Sequence, residues 1–329
     1  MTNCAVVRTG ALGDALMASA TFPGLAQLGH RLTFVTTAEG EEMCRHDPYL
    51  NGRIRVVPRM DNENDRQLWA ALDEEFDVVV NLVNGMECTM LFHPSQLGYY
   101  WPDEQRRRYA SRSYLEQYML QAGLEGPARI RFEPSQEELR WVAKTKDEIG
   151  PYVVWALRGS SVHKIYPFMR EAIFQILTRT DLAIVLSGSL ADSPLEMTIR
   201  DAVRQFLPHT LERVYSWVGD GSIRRSMALA QQAVAVVSPE TALPMSVAHE
   251  PQVAKVVLLS HSSVKNLTGD WVNTTSLAPK VPCYPCHRLH YDFSYCPQDE
   301  RTGAAVCAAD IKPEAIADAV VAAQGRMHG

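Results

Sequence analysis

Runs of consecutive apolar, largely β-branched residues recur along the chain, and each gives way to a short loop of small or hydroxylic residues. They are Ala5-Val6-Val7, Val78-Val79-Val80, Tyr152–Leu157, Ala183–Leu186, Ala233–Val237 and Val256–Leu259. A strand with one wet face alternates apolar and polar residues, whereas a strand apolar at every position is buried on both faces, as in the middle of a parallel sheet. Helix-length segments separate the runs. The order strand, loop, helix therefore predicts doubly wound α/β architecture with right-handed crossovers. At 329 residues the chain exceeds one ordinary core, so two domains are expected, residues 1–134 and 135–329. Gly123–Pro134, with its glycines and prolines, reads as the linker, and Ser135-Gln136-Glu137-Glu138 opens the next helix.

The first run leads into Arg8-Thr9-Gly10-Ala11-Leu12-Gly13-Asp14 and then the helical Ala15-Leu16-Met17-Ala18. Gly10 and Gly13 permit turns and close approaches that a Cβ forbids, and the first amides of the helix are unpaired and face any ligand. Asp14 stands at the mouth of the sheet with two uses open to it: capping the helix, or taking a proton from a substrate hydroxyl. In the second half, strand ends carry Arg158-Gly159-Ser160-Ser161 with Lys164, then Ser187-Gly188-Ser189, then Ser238-Pro239-Glu240-Thr241-Ala242. Amides, hydroxyls and one lysine at helix starts suit a diphosphate. None of these loops has the spacing of a Walker loop or a dinucleotide fingerprint, which leaves nucleotide-sugar transferases, sugar-nucleotide epimerases and two-domain binding proteins.

Composition narrows the partners. With 46% apolar and 21% charged residues and a net charge of −6, the chain reads as globular and is not expected to bind nucleic acid. Arg106-Arg107-Arg108 with Arg112 is its one basic cluster, read as a solvated helix face. The aromatic-rich Glu87–Arg112 segment, with His93, Tyr99, Tyr100, Trp101 and Tyr109, reads either as an acceptor-side surface or as a packed loop. The start Met-Thr-Asn-Cys has no signal-peptide pattern and no apolar run reaches the ~18 residues of a membrane span, so a cytoplasmic protein is expected.

Of seven cysteines, Cys4, Cys44 and Cys88 read as buried small hydrophobes. Cys283, Cys286, Cys296 and Cys307 cluster near the C-terminus behind a C-x-x-C knuckle. Four thiolates in this spacing predict a closed tetrahedral structural site within a finger at 281–307, with zinc as the default occupant and iron as the alternative. His287 and His290 are spare ligands, and free thiols under a loop are the plainer reading.

Val6–Leu16, Pro23, Leu25, Arg31–Val35 and Asp47-Pro48-Tyr49 together resemble the opening of glycosyltransferase family 9, which includes the ADP-heptose:lipopolysaccharide heptosyltransferases. Gly159-Ser160 with Lys164 and Tyr166-Pro167, then Leu186–Ser189, then Ser238–Ala242 with Met245 and Ala248, are similar to later parts of that family. The resemblance implies a GT-B fold of two Rossmann-like domains facing across a cleft, with no metal at the reacting centre. An N-terminal acceptor domain and a C-terminal nucleotide-sugar domain would be closed by a final helix at 313–323. It implies Asp14 as general base, with Gly10, Gly13, Ser160, Ser161, Lys164, Gly188, Glu240, Thr241 and Ala242 at the donor. The co-substrate would be a nucleotide-diphosphate sugar, heptose or a related hexose. The acceptor would be a cell-envelope glycan or lipid, with peripheral contact to the inner membrane surface. The same chemistry on a protein side chain or modified nucleobase, and a non-catalytic sugar-nucleotide or glycan-binding module, are the alternatives. Glu240 and Ala242 stand where the family usually has aspartate and glycine, and Met245 or Ser246 where it has histidine, which leaves the donor sugar open.

Overall fold

The fold is given by a computed structural model, and the structure describes residues 2–59, 66–83, 85–86, 90–219 and 222–326. The chain divides into two compact units, Met1–Ser135 with Lys265–Asp270, and Gln136–Val264 with Trp271–Gly329. Glu87 and Cys88, named above, lie outside the described residues.

The first unit holds β1 (Thr2–Arg8), β2 (His30–Thr36), β3 (Ile54–Val56) and β4 (Val78–Asn81), all parallel, in the order β3-β2-β1-β4. Cys4 through Val7 are fully buried, as a strand covered on both faces requires. Ala5 and Val7 pack with Val35, Leu72 and Val83, while Phe22 meets Phe34 edge-on at 5.2 Å. The segment Lys265–Asp270 enters this unit from far along the chain. Its Asn266 side-chain amide donates to the carbonyls of Ala110 and Arg112 at 2.7 Å each, and Ser113 Oγ donates to Asp270 at 2.6 Å.

The second unit holds β5 (Tyr152–Ala156), β6 (Ala183–Gly188), β7 (Val214–Val218), β8 (Ala235–Pro239), β9 (Ala254–Leu258) and β10 (Thr274–Leu277). They form one parallel sheet in the order β10-β9-β8-β5-β6-β7. Every residue of β5 is buried, and Trp155 anchors a core that reaches Ile173, Ile184 and Val237 and, from the helix Pro313–Gly325, Ile316 and Val320. β10 gives no signal in the sequence because Thr-Thr-Ser-Leu at a sheet edge offers no apolar run. A short helix, Ala242–Met245, follows β8 directly. Gly123–Pro134 is packed where a free linker is expected: Ile130 and Phe132 are buried, and Arg131 N–H donates to Ser19 Oγ at 2.9 Å.

In each sheet the chain begins in an inner strand and winds outward in both directions. β1 leads to β2 and β3 on one side and then to β4 on the other; β5 leads to β6 and β7, then to β8, β9 and β10. The reversal falls between β1 and β4 and between β5 and β8. Connections diverge there at the carboxyl ends of the strands, and an open parallel sheet binds its ligands in the crevice so formed.

Trp155→Ala should cost about 3–5 kcal/mol through lost burial and the cavity left behind. The midpoint of urea unfolding, followed by a probe in the second sheet, should fall accordingly, and an unchanged midpoint would mean that Trp155 is not the anchor of this core.

Candidate functional site

At the end of β1 the chain passes through Arg8, Thr9 and Gly10 into the helix Leu12–Ser19, in which Asp14 is the third residue. The loop is pinned from β2, where Thr36 Oγ1 donates to the Arg8 carbonyl at 2.7 Å. Asp14 reaches back, so that Oδ2 accepts from Ala11 N–H at 2.7 Å and Oδ1 meets Arg8 Nη2 at 3.0 Å. A Cβ on Gly10 would fall 2.5 Å from Asp14 Oδ2, so this glycine is required by close approach. The Arg8 side chain is 1% exposed and lies 5.7 Å from the Tyr118 ring centre, whereas Asp14 keeps 21% of its side chain open. Capping and access to solvent thus coexist in one carboxylate. Gly13 lies within the helix, beside Asp14.

The loop after β6 repeats this construction. Gly188-Ser189-Leu190-Ala191-Asp192 matches Gly10-Ala11-Leu12-Gly13-Asp14 in register, and Asp192 Oδ2 accepts from Ser189 N–H at 2.7 Å. A Cβ on Gly188 would lie 2.8 Å from the same oxygen, and Arg158 pairs with Oδ1. Here the arginine comes from the adjacent loop and the carboxylate is 5% exposed, so the turn is sealed. The repeat Gly-x-Leu-x-Asp is readable in the sequence, whereas the arginine partners are not.

At the reversal between β5 and β8 two of the three predicted diphosphate loops come together. Gly159 N–H donates to the Lys164 carbonyl at 3.2 Å, and Lys164 N–H to that of Ser161 at 2.9 Å, which folds 158–165 into a tight loop. A Cβ on Gly159 would sit 2.6 Å from Lys164 Cδ and 3.1 Å from Thr241 Cγ2, so the lysine stem and the threonine of the β8 loop meet over this glycine. Ser161 Oγ is buried with no hydrogen-bond partner among the described residues, while Ser160 is exposed. Thr241 and Ala242 are half-buried at the start of the short helix.

Glu240 lies at the end of β8, next to Thr241. It is 3% exposed, and its carboxylate is spent on the loop after β9. Oε2 accepts from Ser260 Oγ at 3.0 Å and His261 N–H at 3.3 Å and pairs with His261 Nδ1, while Oε1 accepts from Ser262 N–H at 3.0 Å. Burial alone would push this carboxyl up, but His261, Lys164 and the Ser262 amide hold it down to about 2. His163 Nδ1 lies 2.8 Å from Ser260 Oγ, and burial beside His261 and Lys164 keeps its imidazole well below the usual range. Among the described residues, His163, Glu240 and His261 are the one group of three or more histidine, cysteine or acidic side chains whose ligating atoms all lie within 4.8 Å. Their polar atoms are already committed to one another and to Ser260, which makes the group a hydrogen-bonded hub.

The cysteines near the C-terminus share one neighbourhood without forming so tight a group. Gln298 and Ala305 pair across a hairpin, with Asp299 N–H donating to the Ala304 carbonyl at 2.8 Å, so Cys296 and Cys307 flank its base. Both are buried against Val162, Val281 and Phe293, and Cys283 and Cys286 are half-buried. None of the four is in a disulfide. Burial first, then Cys286 and Cys283, pushes the Cys296 thiol up to about 12; burial and the other three cysteines push Cys307 up as well.

No family model and no curated protein matches the sequence. Solved structures do match the fold. A glycosyltransferase of family 9 from Veillonella parvula aligns over 99% of this chain and 98% of its own, at 14% identity and a TM-score of 0.65. The ADP-heptose lps heptosyltransferase II of E. coli aligns over 100% of both chains, at 14% identity and a TM-score of 0.64. The iron-containing dodecameric glycosyltransferase TibC of enterotoxigenic E. coli aligns over 99% of this chain and 77% of its own, at 13% identity and a TM-score of 0.57. The two parallel-sheet units are thus the architecture of GT-B glycosyltransferases. No helix among the described residues is long and apolar enough to cross a membrane.

A carboxyl held near 2 in the fold and near 4.3 in the unfolded chain contributes stability that is fully present above about pH 4.3 and is lost as pH falls toward 2. Glu240→Gln should therefore lower stability at pH 7 and flatten its dependence on acid. Acid titration of unfolding free energy in both proteins checks this, and parallel curves would contradict the buried, ionised state.

Proposed function

We propose that the chain is a glycosyltransferase that moves a sugar, heptose or a related hexose, from a nucleotide-diphosphate donor to a hydroxyl of a cell-envelope glycan or lipid. The observation that carries this reading is the crevice between β5 and β8, where the Lys164 stem and Thr241 meet over Gly159, and where the same loop buries a Ser161 hydroxyl with no partner among the described residues. The structures of like fold support it: they are glycosyltransferases, and TibC has been seen in complex with ADP-D-beta-D-heptose.

The second unit would hold the donor. Lys164 meets charge on the diphosphate, and Ser160, Ser161 and the amides of Thr241 and Ala242 supply donors to it. Gly188 gives the nucleoside close passage over the β6 loop. Glu240 serves the donor indirectly, through the 260–262 loop that it holds. The first unit would hold the acceptor, with Tyr100, Tyr109, Arg107 and Arg108 exposed on its surface. Gly10 and Gly13 let substrate approach Asp14. Asp14 takes the proton of the acceptor hydroxyl as that oxygen bonds to the anomeric carbon, and the bond from that carbon to the phosphate oxygen breaks. Its orientation comes from Arg8 and Ala11 N–H, and further lone pairs remain for the incoming hydroxyl. The step uses protein groups alone, as the family resemblance implies.

Cys283, Cys286, Cys296 and Cys307 would hold a structural metal, zinc or iron. Cys283 and Cys286 help push up the Cys296 thiol, and these three help push up Cys307, a repulsion that a soft divalent cation would relieve; full sulfur ligation would leave no open position for catalysis.

Asp14→Asn should leave nucleoside-diphosphate affinity within about twofold and reduce turnover by ~100 to 10,000-fold, because the amide keeps the shape but accepts no proton. Release of nucleoside diphosphate from a panel of ADP-, UDP- and GDP-sugars measures this. Near-normal turnover would make Asp14 a cap only, and no release from any donor by the wild type would favour a binding module. Elemental analysis of the purified protein should find about one zinc or iron per chain, and chelation should lower the melting temperature. A stable, fully active preparation free of both metals would reduce the cysteines to ordinary thiols.

A further inference from the structure

Behind the phosphate-binding loops runs a continuous line of hydrogen bonds that starts at the cysteine knuckle. Cys286 Sγ lies 3.7 Å from His290 Nε2. His290 is tied to the Lys164 loop through its backbone: its carbonyl accepts from Val162 N–H at 2.9 Å, and its N–H donates to His163 Nε2 at 3.4 Å. An N–H aimed at Nε2 makes that nitrogen the acceptor, so the ring carries its proton on Nδ1 and donates to Ser260 Oγ at 2.8 Å. The Ser260 hydrogen then goes to Glu240 Oε2 at 3.0 Å. From the same segment, His287 N–H donates to the His261 carbonyl at 3.0 Å. His287 makes that reach at φ 56°, a left-handed conformation uncommon for a residue with a Cβ and held only where surrounding contacts over-determine it.

The Lys164 loop after β5 and the 260–262 loop after β9, which holds Glu240 behind the donor loop of β8, are therefore supported by one segment, 287–290. Cys286 is half-buried, whereas Ser260, His163, His261, His287 and His290 are each no more than 4% exposed. Ring contacts of 4.9 Å between His163 and His261 and 5.6 Å between His163 and His290 fill the space between the loops, so neither loop can shift without the other.

We propose that His287–His290, with His163 and Ser260, is the positioning scaffold of the donor site, so that ligation of the cysteine knuckle and affinity for a nucleoside diphosphate are thermodynamically coupled. The part concerning affinity rests on the donor reading above; the mechanical coupling of knuckle to loops does not. By linkage the coupling runs both ways: a ligated knuckle tightens nucleotide binding, and bound nucleotide raises the knuckle's affinity for its ligand by the same factor.

Two substitutions in the full chain separate the links. His163→Asn places a polar atom near the former Nδ1, toward Ser260, but removes the acceptor for His290 N–H. Cys286→Ser cuts the chain at the thiol and leaves the histidines untouched. Hydrogen exchange read by mass spectrometry should rise at least about fivefold in peptides spanning 158–165 and 260–262 in both variants, with β1 of the first unit unchanged. Affinity for whichever of ADP, UDP and GDP the wild type binds should fall about tenfold, and His163→Gln, which returns an amide near the Nε2 position, should restore part of it. If either folded variant keeps wild-type exchange in both loops, the segment is not their scaffold and the proposal fails. A wild type that binds none of the three nucleotides would overturn the donor reading, while the exchange result would still decide the coupling.

Discussion

A parallel strand buried on both faces has no wet side on which to place a polar group, so chemistry must gather at its ends. Both units of this chain obey that constraint through β1 and β5, whose residues are almost wholly buried. The order in which the chain visits the strands then decides which end positions matter. In one sheet the reversal selects the loop that carries Asp14; in the other it selects the loops that carry Lys164 and Thr241. Topology places the site residues before any of them makes a contact.

What holds those loops is buried charge. Asp14 with Arg8 and Asp192 with Arg158 each set a carboxylate against a cation and a backbone N–H, and Glu240 sets one against the His261 imidazole and the Ser262 N–H. Losing one partner of such a pair is costly, because the remaining charge stays buried; this fixes loop geometry more firmly than apolar contact would. The three differ in access. Asp14 alone remains substantially open to solvent, which separates the carboxylate proposed to exchange a proton from two that organise turns.

Most of the strands are legible in the sequence because burial on both faces demands an unbroken apolar run such as Tyr152–Leu157, and the same logic puts Gly10, Asp14, Gly159, Lys164 and Thr241 at strand ends. β10 escapes because an edge strand needs no apolar run. Gly123–Pro134 reads as a linker by composition, yet buries Ile130 and Phe132, since glycine and proline content does not report what two intervening apolar residues will pack against. Glu240 reads as a ligand contact in the sequence; its partners Ser260, His261 and Ser262 follow another strand, and no local spacing announces a hydrogen bond across so long a stretch of chain. The His163–His290 tie spans a still greater distance and is equally invisible in the sequence. Lys265–Asp270, which belongs to the first unit although its neighbours in sequence belong to the second, is tied there by the Asn266 and Asp270 side chains.

The assignment on which the proposed chemistry turns is a diphosphate site at the reversal between β5 and β8. A crystal of the protein grown with a non-hydrolysable sugar-nucleotide analogue tests it at first hand, because the two phosphorus atoms are strong scatterers whose positions admit no alternative assignment. Both phosphates are expected at the carboxyl ends of β5 and β8, with oxygens within hydrogen-bond distance of Lys164 Nζ and Ser161 Oγ. Phosphates bound at the β1 loop beside Asp14, or anywhere away from Lys164, would overturn the assignment.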